Sequence, residues 1–225
     1  MERKIIKTLD GSTTIQIVDW NECYHSKMGA IQEAVHVFIK NGLYLLDKKN
    51  VSILEIGFGT GLNAFITFLE AQKNDYVIEY SGVEAYPISA EELHLMNYVE
   101  ELNAGNYKDV FDLMHQSIWE ERQEITPNFT LTKYKMLFED IKFTNRFDII
   151  YFDAFGFQVQ PELWSEAIFN QMFAALKSSG VLVTYAARGV VKRNMIQAGF
   201  TVKKVPGPPG KREMMIGFKN FLENI

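Results

Sequence analysis

Apolar residues in this chain follow two rhythms that alternate over most of its length. Short runs rich in β-branched residues, at 51–57, 76–83, 129–138, 147–152, 181–185, 201–205 and 213–218, read as strands. Stretches with apolar residues three and four apart, at 61–72, 89–97 and 189–198, read as helices. A more polar helical stretch covers 106–121, and another helix is predicted to start at Pro161, a residue favoured at the first helical position. Such alternation predicts an α/β fold with a mostly parallel sheet covered on both faces. The two ends differ. Segments 5–9 and 14–18 flank Asp10-Gly11 and predict a small N-terminal hairpin. Ser26 is placed to cap a helix running to about Lys40, with Ile31, Val35, Phe38 and Ile39 on its apolar face. At the other end, strands 201–205 and 213–218 are joined by a Pro/Gly-rich turn and predict an antiparallel hairpin at one sheet edge. The expected organisation is an N-terminal extension, 1–45, packed on a Rossmann-like domain, 46–225.

The pattern breaks most informatively after the strand 51–57, where Gly57, Gly59 and Gly61 occupy every second position and a helix follows. Strand, glycine turn and helix bring a backbone close to a nucleotide-like ligand, because residues without side chains let the ligand lie against the main chain. The spacing is G-x-G-x-G with Glu55 inside the strand end, the usual form for S-adenosyl-L-methionine and not the G-x-G-x-x-G of dinucleotide folds. A tight turn with no ligand is the plain alternative. Glu84 ends the next strand, where a carboxylate can accept both hydroxyls of a ribose. NAD would use the same acid, so Glu84 supports an adenosine ligand without choosing which. Other residues predicted at that sheet edge are Asp140, suited to an adenine amino group or to a helix cap, and Tyr185 with Arg188. Asp153 ends an apolar strand before a loop carrying Phe155 and Phe157, on the opposite side of the switch point from Glu84. Trp164, beyond that loop, reads more readily as core than as pocket wall.

A chain of 225 residues with 47% hydrophobic content has room for one sizeable core and not for two average domains. No apolar run approaches the roughly 18 residues of a membrane span, and Met1-Glu2-Arg3-Lys4 lacks the apolar centre of a signal peptide. The single cysteine, Cys23, excludes an internal disulfide and suits a reducing cytoplasm. Four scattered histidines give no ligand spacing, so no metal is expected. Net charge is −5, yet 177–219 holds nine Lys or Arg against Glu213 alone, +8, leaving −13 elsewhere. On charge alone this segment suits a phosphate-facing surface or a solvated basic face equally.

Several blocks occur in a telling order: Glu55 to Asn63 around the glycines, Phe152-Asp153-Ala154-Phe155 with Pro161-Glu162-Leu163-Trp164, Val190 to Arg193 with Gln197 to Phe200, and Gly210 to Met214. Upstream lie Tyr24-His25-Ser26 and Glu33 to Phe38. Together they resemble the MnmC-type tRNA methyltransferase domain over about residues 20–218. The resemblance implies a class I methyltransferase fold and methylation of an aminomethyl group on the wobble uridine of tRNA. It also implies cofactor contacts by Glu55, Gly57, Gly59, Gly61, Glu84 and Asp140, with Asp153 at the reacting amine. Phe155 would stack on the splayed base or equally belong to the core, and Lys192, Arg193, Lys211 and Arg212 would hold anticodon-arm phosphates. Lys211 and Arg212 could instead shape the cofactor rim. Many members carry a second, FAD-dependent oxidase domain; the expectation here is a stand-alone methyltransferase domain with a separate oxidase as partner. The loop 156–160 lacks a lysine common in the family, so a small amine is a second substrate class. An NAD-dependent oxidoreductase would need the absent G-x-G-x-x-G turn, and a non-catalytic binding module predicts a spoiled turn or a missing strand-end acid.

Overall fold

The computed structural model describes residues 2–220. Three short antiparallel strands open the chain, β1 (Arg3–Lys7), β2 (Thr13–Ile17) and β3 (Glu22–Cys23), followed by α1 (Ala30–Ala34), which continues as a wider helical turn over Val35–Lys40. Then come β4 (Asn50–Ile56), α2 (Leu62–Asn74), β5 (Val77–Val83), α3 (Ala90–His94), α4 (Tyr98–Glu101) and α5 (Lys108–Gln116). The remainder is β6 (Arg122–Thr126), β7 (Phe129–Tyr134), β8 (Phe147–Phe152), α6 (Glu166–Ala175), β9 (Leu176–Thr184), α7 (Gly189–Gln197), β10 (Thr201–Pro206) and β11 (Glu213–Phe218).

The large sheet has the order β10-β11-β9-β8-β4-β5-β7-β6. Strands β7, β5, β4, β8 and β9 run parallel; β6 and the β10–β11 hairpin are antiparallel additions at the two edges. The chain moves outward in one direction from β4 through β5 to β7, then returns to β8 on the other side of β4, so the switch point lies between β4 and β8. Ligands of open α/β sheets sit at the carboxyl ends of strands there.

Period-two alternation explains why the central strands read as continuous apolar runs. Ile53, Tyr80, Ile149 and Tyr151 pack on one face with Phe65 and Phe68 of α2. Their neighbours Leu54, Ile56, Ile150 and Phe152 pack on the other with Phe169 of α6. Both faces are covered, so each strand is apolar at most positions.

Some expectations moved. The first helix begins at Ala30, not Ser26, because Gly29 has φ 142°, far from helical; Ser26 Oγ instead accepts from the Met28 N–H. The predicted helix 89–97 shortens to α3, Ala90–His94, and α4 follows beyond it. Pro161 starts a single 3-10 turn, Pro161–Trp164, and α6 follows with Ser165 as its cap. Strand β9 starts at Leu176, before the predicted 181, and β7 ends at Tyr134, before the predicted 138. Polar β6 lay hidden because an edge strand needs little apolar alternation. No helix among the described residues is long and apolar enough to cross a membrane.

Candidate active site

The glycine turn is built from three positive φ values, 90° at Gly57, 50° at Gly59 and 72° at Gly61. The N–H groups of Gly57 and Phe58 both donate to the Val83 carbonyl at 3.0 Å, tying the turn to the tip of β5. A Cβ on Gly57 would lie 2.6 Å from the Asp153 carbonyl oxygen, so glycine is required for the turn to pass the tip of β8. A Cβ on Gly59 would approach the Tyr24 ring to 3.2 Å. Glu84 closes the loop: one carboxylate oxygen accepts from the Gly59 N–H at 3.0 Å, the other from the Tyr86 N–H at 2.8 Å.

A cavity of about 690 Å³ lies over these strand ends. Gly57, Gly59 and Glu84 form its floor, Leu137, Phe138 and Glu139 one end, and Asp153 and Phe155 the other. Its roof is the N-terminal extension. Tyr24 and Trp20 pack edge-on against Phe155, with ring centroids 5.0 and 5.8 Å away, and His25 hydrogen-bonds through Nδ1 to Thr14 Oγ1 at 3.0 Å. Burial pulls the His25 pKa down to about 4, so the ring is neutral near pH 7. Arg3 also lines the roof and is anchored by Glu92 at 3.0 Å.

Asp153 is where charge is most unusual. Burial and the nearby Glu33 carboxylate raise its pKa to about 7, against the lowering effects of the Asn63 hydrogen bond and Lys211. Asn63 Nδ2 donates to Asp153 Oδ2 at 2.8 Å and to Glu55 Oε1 at 2.9 Å. A smaller cavity of about 220 Å³ adjoins Phe155 and is lined by Glu22, Glu33, Tyr185 and Lys211. There Lys211 pairs with Glu33 and lies 4.7 Å from the centre of the Tyr185 ring, while Tyr185 donates to the Ala154 carbonyl at 2.8 Å. A third cavity of about 380 Å³ is flanked by Phe157, Arg188 and Arg212, with the Arg188 guanidinium 5.7 Å from the Phe157 ring centre.

Of the residues singled out by sequence, Gly57, Gly59, Glu84, Asp153 and Phe155 meet around the main cavity. Three of the expected cofactor contacts do not line it. Glu55 is fully buried beneath the floor, because its side chain faces α2 and is held by Asn63 and by the Tyr80 hydroxyl at 2.9 Å. Gly61 faces His115, whose Nε2 would be 2.7 Å from an added Cβ, so it serves packing. Asp140 is exposed at the end of a 3-10 turn, and its neighbour Glu139 lines the cavity instead. Trp164 is fully buried and donates to the Phe155 carbonyl at 2.8 Å, fixing the aromatic loop from below.

The basic segment is not one surface. Lys177 joins Asp148 at the amino end of β8, opposite the cavity; Lys219 caps the carbonyls of Phe173 and Leu176; Lys204 pairs with Glu213. Lys192 and Arg193 sit on the first turns of α7 and line none of the three cavities. Sequence reading missed Arg3 and Trp20, which nothing local marks, and gave Asn63 no role although it lies two residues past Gly61, on the first turn of α2.

Residues 100–220 match the family described as S-adenosyl-L-methionine-dependent methyltransferase. The chain belongs to that family. Among relatives of this methyltransferase are proteins named tRNA 5-methylaminomethyl-2-thiouridine biosynthesis bifunctional protein MnmC. That of Burkholderia mallei (strain SAVP1) is 30% identical over 228 residues, covering 88% of this chain and 33% of the relative. That of Burkholderia thailandensis is 28% identical over 225 residues, covering 88% and 32%. The chain thus spans about a third of the length of these curated relatives. Among solved structures, MnmC2 from Aquifex aeolicus superposes with a TM-score of 0.79 at 21% identity, over 98% of this chain and 70% of that one. Spermidine synthase from Thermotoga maritima superposes with a TM-score of 0.59 at 14% identity, over 99% and 70%. Both likenesses concern the fold.

Proposed function

We propose that this methyltransferase methylates a primary amine, the aminomethyl group on the wobble uridine of tRNA. The observation that carries the amine is Asp153, a half-buried carboxyl with a pKa near 7 at the cavity end bounded by the aromatic loop. A primary ammonium with a pKa near ~10 has no free lone pair and must lose a proton before it attacks. A carboxylate poised near neutral pH can orient the N–H groups and take up or relay that proton. The tRNA assignment draws on the names of the MnmC relatives. A second activity, an FAD-dependent oxidase in the same or another polypeptide, accords with the word bifunctional in those names.

The floor suits S-adenosyl-L-methionine, which supplies an electrophilic methyl group on a sulfonium. Gly59 lines the cavity with bare backbone packed close to Tyr24, and each Glu84 oxygen keeps a lone pair beyond its one backbone hydrogen bond. Glu84 would therefore take the ribose hydroxyls, and the Leu137–Glu139 end the adenine. Phe155 would stack on the uracil, and Arg188, Lys192, Arg193 and Arg212 are proposed to face phosphates of the anticodon arm. Lys211, committed to Glu33, is assigned to shaping the acceptor end. A small cationic amine is the second reading, favoured by the Glu22 and Glu33 lining of the adjoining cavity. Methyl transfer to tRNA from a strain lacking the modification, set beside transfer to small diamines, tests the two; no transfer to tRNA with transfer to a diamine would replace the first by the second.

A further inference from the structure

We propose that Asn63 and Glu55 are positioning residues for Asp153, a carboxylate–amide–carboxylate chain that fixes the direction and protonation of the acceptor-side acid. The inference rests on the reading of Asp153 given above. It goes further by moving Glu55 out of the cofactor site and giving Asn63 a role.

The geometry is specific. Both N–H groups of one amide are committed to two different carboxylates, Glu55 Oε1 at 2.9 Å and Asp153 Oδ2 at 2.8 Å. The Asn63 Oδ1 atom is buried without a partner, so the orientation of the amide is set wholly by its two donors. Turning the amide over would place an acceptor between two acceptors, which disfavours the flip unless both acids are protonated. Glu55 in turn is held at its other oxygen by the Tyr80 hydroxyl at 2.9 Å and is completely buried, so it has no route to a ligand except through Asn63. The anchor is rigid: β4 carries Glu55, the first turn of α2 carries Asn63, and the glycine turn between them is pinned to Val83 and packed on Asp153.

Electrostatics point the same way. Asp153 is faced by Glu33 from α1, which disfavours its ionised form, by Lys211 from the β10–β11 turn, which favours it, and by the Tyr185 hydroxyl region from the end of β9. Glu55 and Tyr80 lie behind the amide. Asn63 makes a hydrogen bond to the Asp153 carboxylate that counters burial, so its loss should raise the Asp153 pKa. An acid that acts in its ionised form then becomes active at higher pH.

The test uses the full chain with saturating S-adenosyl-L-methionine and unmodified tRNA, recording kcat from pH 5.5 to 9, cofactor affinity by calorimetry, and thermal melting. Asn63→Leu keeps the volume and removes both donors. It is expected to lower kcat at pH 7 at least tenfold, to move the acid limb up by about one pH unit, and to change cofactor affinity less than threefold. Glu55→Leu is expected to share that shift, whereas Glu55→Gln, which still offers the amide an acceptor, is expected to restore the wild-type profile. Should Asn63→Leu not fold, Asn63→Ser, with a single shorter donor, is expected to show the same direction. An unmoved acid limb in both leucine variants, or a loss of cofactor affinity equal to the loss in kcat, overturns the proposal. Asp153→Asn separates the two levels. If it abolishes transfer while the leucine variants keep the wild-type profile, only the positioning chain falls; if it transfers normally, the reading of Asp153 falls with it.

Discussion

Glu84 offers the most direct test of the proposal that the cavity floor holds the cofactor. Its carboxylate is already half occupied by the Gly59 and Tyr86 N–H groups, so the lone pairs that remain are directed by backbone donors at 3.0 and 2.8 Å. Replacing it by Ala removes the two acceptors proposed for the ribose hydroxyls and releases the Gly59 N–H from its tether. Hydrogen bonds to a charged group contribute about 1.5–3 kcal/mol, and a ribose bridged by one carboxylate falls in that range. At roughly 1.4 kcal/mol per factor of ten, the dissociation constant of S-adenosyl-L-methionine should rise about 10- to 150-fold. Calorimetry on wild type and Glu84→Ala gives the loss, and a 2′-deoxy analogue of S-adenosylhomocysteine apportions it. The analogue should bind wild type more weakly than its parent, and the variant should discriminate little between them. Equal discrimination in both proteins would mean that the hydroxyls are held elsewhere. Unchanged affinity in a folded Glu84→Ala protein would reduce Glu84 to a brace for the turn.

Gly59→Val puts a branched side chain at φ 50°, against Tyr24 and into the space assigned to the ligand; it should lose measurable cofactor binding, and retained affinity would move the ligand off the turn. Asp153→Asn should reduce transfer far more than cofactor affinity, and loss of binding with the saturated rate preserved would place Asp153 in the cofactor site. The same variant has a pH signature. Asp153 ionises near pH 3.8 in an unfolded chain and near 7 in the fold, so between those values the native state binds more protons and stability falls as pH rises. Melting of wild type relative to Asp153→Asn should therefore decline from pH 4 to 7, and a flat difference would show the carboxyl to be ordinary. Replacing Lys192 and Arg193 together should weaken tRNA binding alike across tRNAs and flatten its salt dependence by about 0.7–0.9 per lost phosphate contact, and an unaltered slope would remove them from the interface.

Much of the fold follows from local pattern. The runs around 51–57, 76–83 and 147–152 became β4, β5 and β8 with boundaries shifted by a residue or none, because a strand buried on both faces is apolar at most positions. The three glycines fixed the turn, since only residues tolerant of positive φ can make it, and the acids at the strand tips, Glu84 and Asp153, followed from chain direction in a parallel sheet. Within the site, sequence therefore located what lies at strand ends.

Tertiary structure decided what depends on side-chain direction and on segments distant in sequence. Glu55 and Glu84 are both strand-end acids in the chain, yet the pleat turns one under the floor and the other into the cavity. Gly61 shares the motif with Gly59 but meets His115, whereas Gly59 meets Tyr24 at the cavity; the His115 contact spans more than fifty residues. The basic segment sums to +8 in sequence, while folding sends Lys177 to the opposite end of the sheet and neutralises Lys204 and Lys211 with Glu213 and Glu33. The roof of Arg3, Trp20, Tyr24 and His25 exists only because the N-terminal strands fold back over the strand tips. The near-neutral Asp153 exists only because burial and Glu33 outweigh Asn63 and Lys211 there. Local pattern sets which elements form; burial and long-range contact set which of their side chains meet, and at what charge.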